Sequence, residues 1–172
     1  TKSIGVDAGM MDPVFGIRVP DHNAYLRSKT LLNQNDQTHS FLLHYGNQRT
    51  ELLLQAMAGN LYQDAALRQK GLSALAEFEI SQDARLGLSG FYSRNDFRNR
   101  TMGALHTRLG VPGHGALLGQ VGVIREAPIS QLSQLGAYVF GQYEAPFKRG
   151  LSLMMTSEYY TSDLSRQSQR RY

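Results

Sequence analysis

Residues 71–94 read GLSALAEFEISQDARLGLSGFYSR, and their alternation decides how the chain folds. Leu72, Ala74, Ala76, Phe78 and Ile80 occupy every second position before Ser81-Gln82-Asp83-Ala84, and Leu86, Leu88 and Tyr92 continue the pattern after it. Ser73, Glu77, Glu79, Arg85 and Ser89 fill the positions between. Successive side chains of a strand point to opposite faces, so the stretch reads as two strands joined by a tight turn, each with one apolar and one polar face.

The period-2 pattern continues in both directions. It predicts strands near 3–11, 38–46, 49–59, 71–80, 85–94, 101–111, 116–126, 134–145 and 151–161, nine in all. Their apolar faces, carrying Phe41, Leu43, Leu52, Leu54, Leu105, Leu109, Val121, Val123, Val139 and Leu153, hold no charged residue over the core stretches. The polar faces carry Glu51, Glu77, Glu79, Arg85, His106, Arg108, Glu126, Glu144 and Glu158. Leu53, Leu75, Phe91, Ile124, Tyr138 and Phe140 also fall on the polar face, so the separation is strong but incomplete. Short connections are expected at 46–48, 81–84, 112–115 and 146–150, longer ones at 60–70, 95–100 and 127–133. A long connection over about 12–37, with Pro13, Pro20 and Asp21-His22-Asn23, precedes the regular series 38–161. The 172 residues are read as one domain.

Periodicity alone does not say which face is covered, because a soluble sandwich or barrel alternates too. Three features favour an inverted arrangement with the apolar face toward lipid. The polar face is built from Ser, Gln, Gly and sparse charges of both signs, without the lysines that defend water-exposed strands. Tyr45, Phe78, Tyr92, Tyr143 and Tyr159 sit near strand ends, with Phe147 just beyond, where aromatic girdles lie in membrane barrels. The basic residues, 14 Arg against 4 Lys, gather at the longer connections. Arg68, Lys70, Arg94, Arg98, Arg100 and Arg125 are placed there, with Arg166, Arg170 and Arg171 in the segment beyond the last strand. Arginine binds phosphate through a planar fork, so Arg68, Arg94, Arg98, Arg100 and Arg125 are candidate contacts for lipid headgroups and lipopolysaccharide.

The expected fold is therefore an all-β, antiparallel transmembrane β-barrel. Strands of 8–12 residues suffice, since roughly 9–11 tilted residues cross a bilayer. An open sheet edge cannot face hydrocarbon, and single-chain bacterial barrels use even strand numbers. Nine strands followed by a segment ending Arg170-Arg171-Tyr172 thus point to part of a larger even-numbered barrel. The strand–turn–strand series from Thr38 to Asp163 resembles porin-type outer-membrane β-barrels of Gram-negative bacteria. Phe15-Gly16-Ile17-Arg18-Val19-Pro20-Asp21-His22-Asn23-Ala24-Tyr25-Leu26-Arg27 is similar to a loop in large proteobacterial barrels, some of which look like sheaths for multihaem cytochromes. The resemblance implies an outer-membrane location, long loops extracellular and short turns periplasmic.

No residue set commits the chain to catalysis, a cofactor or a metal. The chain has no cysteine, so it can make no disulfide, thiolate site or covalent haem attachment. Asp21 and His22 read as turn chemistry; His44 and His106 share the polar face; Ser93, Asp96 and His106 are the nearest approach to a hydrolase set. Arginine in loops rather than among sheet aromatics argues against nucleic acid. The expected function is a non-enzymatic pore, conduit or scaffold wall whose polar-face charges line the interior. The alternatives are a sheath around a partner protein or secretion component, a barrel enzyme, and a soluble lipocalin-like ligand carrier.

Overall fold

The computed structural model describes residues 2–17, 25–30, 32, 36–129, 132–146 and 151–164. Nine strands dominate it: β1 (Ser3–Met11), β2 (Thr38–Gly46), β3 (Thr50–Gly59), β4 (Lys70–Ser81), β5 (Ala84–Arg94), β6 (Arg98–Val111), β7 (Gly115–Pro128), β8 (Gln134–Pro146) and β9 (Ser152–Thr161). A short helix, α1 (Tyr25–Thr30), and a 3₁₀ turn at Ala65–Leu67 accompany them. Each strand pairs antiparallel with the next in sequence order, giving one open all-β meander sheet with β1 and β9 at its edges. No described helix is long and apolar enough to cross a membrane, which says nothing about strands.

The predicted strands are present, with one difference. The polar run Asn95-Asp96-Phe97-Arg98-Asn99-Arg100 reads as a loop, yet β6 begins at Arg98 and only 95–97 connects it to β5. Two devices make this possible. The Asn95 side chain accepts the backbone N–H groups of Phe97 and Arg98, and the ladder with β7 extends to Arg98 opposite Pro128. Connections at this rim are therefore unequal: 60–69 is long, while 95–97 is as short as the turns at the other end.

The two faces are inverted relative to a water-soluble sheet. One ladder row runs through Ile4, Tyr45, Leu52, Ala76, Leu88, Leu105, Val121, Val139 and Tyr159, apolar on all nine strands. This face is open: Leu88 is 55%, Val121 50% and Leu153 65% exposed. The opposite face is covered, with Gln55, Ser73, Glu77, Ser89, Arg100 and His106 all buried.

The apolar band crosses the ladder rows obliquely. On β1 it extends from Ile4 toward the 60–69 rim as far as Met10; on β9 it extends from Tyr159 the other way to Leu153. Its midpoint thus drifts by about six residues over the eight steps between strands. With about 3.4 Å per residue and about 4.8 Å between strands, the band is inclined to the rows by roughly 30°.

What covers the polar face is the chain itself. Val14, Phe15, Leu26 and Thr30 are buried, and Phe15 and Leu26 pack with Met57, Phe91, Met102, Ala104, Ile124, Tyr138 and Phe140 in one cluster. The segment expected as a loop outside the sheet is, where described, an insert laid on the inner face. Apolar residues left on that face by the sequence pattern bind it there. Residues 18–24, including Asp21 and His22 and most of the loop resemblance, lie outside the described residues, as do 147–150 with Phe147, and 165–172 with Arg166, Arg170, Arg171 and Tyr172.

Candidate functional site

The inner face carries two charged clusters, and each begins with strand register. Arg85 on β5 lies directly opposite Arg108 on β6. Like charges facing across a ladder destabilise it. Glu77, one strand over on β4, sits diagonally and relieves the repulsion: Arg85 Nη1 is 3.3 Å from its Oε1 and Arg108 Nε is 3.0 Å from its Oε2. His106 Nε2 completes the set at 3.2 Å from Oε2. Glu77 is 1% exposed and His106 2%. Space for the imidazole comes from Gly87, the ladder partner of both residues, where a Cβ would stand 2.0 Å from His106 Nε2. Gly87→Ala should therefore separate His106 from Glu77 and cost about 2 kcal/mol, the scale of core overpacking. Urea unfolding measures this, against Gly90→Ala, where a Cβ meets nothing within 4 Å.

The second cluster brackets α1. Arg100, 4% exposed, donates from Nη1 to the Thr30 carbonyl at 2.8 Å and from Nε to Glu126 at 2.8 Å, with Nη2 on the same carboxylate. Arg98 lies 3.8 Å from that carboxylate. At the other end of α1, Glu158 accepts the Leu26 N–H at 3.2 Å. An acidic group at the N-terminal end and a cation on the last carbonyl both suit the orientation of the peptide dipoles.

Between the clusters, inner-face side chains grip the insert by its backbone. Val14 N–H donates to Gln55 Oε1 at 2.7 Å, Gly16 N–H to Ser89 Oγ at 3.0 Å and Ile17 N–H to Gln120 Oε1 at 2.6 Å. Gln55 in turn donates to the Asp12 carbonyl, and Gln120 to the Tyr138 hydroxyl at 2.6 Å. Gly16 is required here: its φ of 60° is left-handed, and a Cβ would meet Gln120 at 2.4 Å.

The remaining polar-face residues are less committed. Glu51 is exposed opposite Glu77, Glu79 faces Arg85 across the ladder, and Glu144 is exposed between Ala116 and Met154. His44 stacks over Gly5 with Asp7 at 3.6 Å and makes no contact with His106. Ser93, Asp96 and His106 are not brought together. Ser93 lies opposite Arg100, six residues along β6 from His106 and so roughly 20 Å away; its hydroxyl donates to Gln69. Among the described residues no three His, Asp or Glu converge as metal ligands would.

The five arginines expected at the headgroup level separate. Arg94 and Arg125 are exposed on the apolar face at the 60–69 rim. Arg98 and Arg100 occupy inner-face positions with Glu126, because β6 starts earlier than its polar sequence suggests. Arg68 folds back onto the Leu61 and Gln63 carbonyls of its own connection. Sequence reasoning missed the insert; its signal was the set Phe91, Ile124, Tyr138 and Phe140 on an otherwise polar face. No family model matches the chain, and no curated protein or solved structure shows significant similarity to it.

Proposed function

We propose that this chain is a wall of a transmembrane β-barrel of porin type in a Gram-negative outer membrane, non-enzymatic, with the 60–69 side outward. Its polar side is occupied by its own residues 12–17 and 25–30, which makes it a plugged scaffold rather than an open pore. The observation carrying this reading is the inverted burial, with an apolar band across nine strands exposed and Glu77, His106 and Arg100 covered. Contiguous exposed apolar surface on this scale is unfavourable in water and matches hydrocarbon.

Two geometrical features agree. The band's inclination of roughly 30° is near the 35–45° by which barrel strands tilt from the membrane normal. The edges β1 and β9 run in the same direction, being eight antiparallel steps apart. Antiparallel closure therefore takes an odd number of further strands, from whichever chain, and the total becomes even.

The chain contains no tryptophan, so single indoles report each face cleanly. With the full chain in vesicles of brominated phosphatidylcholine, Leu88→Trp and Val121→Trp should be strongly quenched and the inward Phe91→Trp should not. Equal quenching at the three positions, or a folded monomer in detergent-free buffer with position 88 shielded, would remove the proposal.

A further inference from the structure

The sheet faces the same electrostatic problem twice and solves it differently. On the inner face, Arg85 and Arg108 oppose each other and Glu77 bridges them. On the outward face, Lys70 and Arg94 are direct ladder partners, and no carboxylate bridges them. Among the described residues Lys70, Arg94 and Arg125 form no ion pair. These three are also the only Lys, Arg, Asp or Glu at outward positions within the strands, and all three lie at the margin of the apolar band next to the 60–69 rim. Asn99 and Thr101 of β6 lie between them, opposite Arg94 and Arg125 respectively. From β4 to β7 the group spans roughly 14 Å across the strands.

A like-charge ladder pair without an internal counter-ion is stabilised by an anion from outside. The next outward row toward the band, Leu72 and Tyr92, is apolar and exposed, so the ligand must carry acyl chains beside its charge. We propose that Lys70, Arg94 and Arg125 form a binding site for the phosphate of an anionic lipid headgroup, with its acyl chains over Leu72 and Tyr92. The inference rests on the membrane reading above. It deepens that reading by naming the lipid class and the three residues that hold it.

The test uses the full chain carrying Leu72→Trp in phosphatidylcholine vesicles. Quenching by brominated phosphatidylglycerol is compared with quenching by brominated phosphatidylcholine. The unaltered belt should favour the anionic lipid, and Arg94→Gln/Arg125→Gln should reduce that preference by roughly tenfold. Lys2→Gln/Arg49→Gln, an equal charge loss at two exposed residues of the opposite end, should leave it unchanged. A preference absent from the start, or lowered equally by both pairs, overturns the proposal while leaving the membrane reading intact. Displacement of the lipid by millimolar inorganic phosphate would show a site for free phosphate and overturn the lipid assignment. A chain that enters neither vesicle overturns both.

Discussion

Glu77→Ala should be among the most damaging single substitutions in the sheet, lowering stability by about 3 kcal/mol. The carboxylate touches Arg85, Arg108 and His106 and is itself almost fully buried. Its removal leaves two guanidinium groups facing each other across the β5–β6 ladder with nothing between them. Arg85 and Arg108 keep 39% and 46% of their side chains exposed, so screening relieves part of the repulsion and the lower part of the range for broken buried pairs applies. Glu77→Gln keeps the shape and one acceptor but removes the charge, and should fall between the two. The decisive comparison is Glu77→Ala/Arg108→Ala. If Glu77 acts by bridging two cations, removing one cation recovers more than 1 kcal/mol of the loss in a urea titration. A double variant as unstable as the sum of its parts would mean that Glu77 matters through packing or through His106 alone.

How much of this could be seen in the sequence varies with how local the cause is. Side-chain alternation is local, so Leu72 to Ile80 and Leu86 to Tyr92 gave strands, faces and turn together, and each outward residue named there is outward. Register is not local. That Arg85 meets Arg108, or that Lys70 meets Arg94, depends on how two strands align, and the pattern specifies only that both lie on one face. The run from Asn95 to Arg100 shows the limit most clearly. Two arginines, two asparagines and an aspartate look like loop composition, but Glu126 on the neighbouring strand supplies the charge that lets Arg98 and Arg100 stay in the ladder. Propensity was overridden by a partner 26 residues away.

The inner apolar residues were legible as residues but not as a surface. Phe91, Ile124, Tyr138 and Phe140 interrupt the polar face on three different strands, and only the sheet's geometry brings them together as a seat. Pro13, Pro20 and Asp21-His22-Asn23 made the preceding segment read as a loop. Gly16, whose left-handed backbone carries the insert past Gln120, gave no such signal. The chemistry of the site was thus visible in part: the charged residues were identified, and their pairing and the insert's position were not.

Removing the apolar anchors of the insert should release it while the sheet stays folded. Phe15 packs edge-on to Phe91 with ring centroids 6.3 Å apart, and Leu26 is buried in the same cluster. Truncating them costs about 3–5 kcal/mol for Phe→Ala and about 2–5 kcal/mol for Leu→Ala. The polar grips act differently. Gln55, Ser89 and Gln120 hold backbone amides that water can also serve, and each such hydrogen bond contributes a net of about 1 kcal/mol. The apolar anchors therefore dominate, and Phe15→Ala/Leu26→Ala should lift the segment from the inner face. Amide exchange at Val14, Gly16 and Ile17 should accelerate by at least about 100-fold, equivalent to roughly 2.7 kcal/mol of lost local protection. Leu105 and Val121, paired in the β6–β7 ladder, should exchange as before. Acceleration at all five positions together would mean that the insert is part of the sheet's own cooperative unit, and the polar face would then need its cover in order to fold. Protection retained at Val14, Gly16 and Ile17 would transfer the main hold to the side-chain grips and to Arg100 and Glu158 at the two ends of α1.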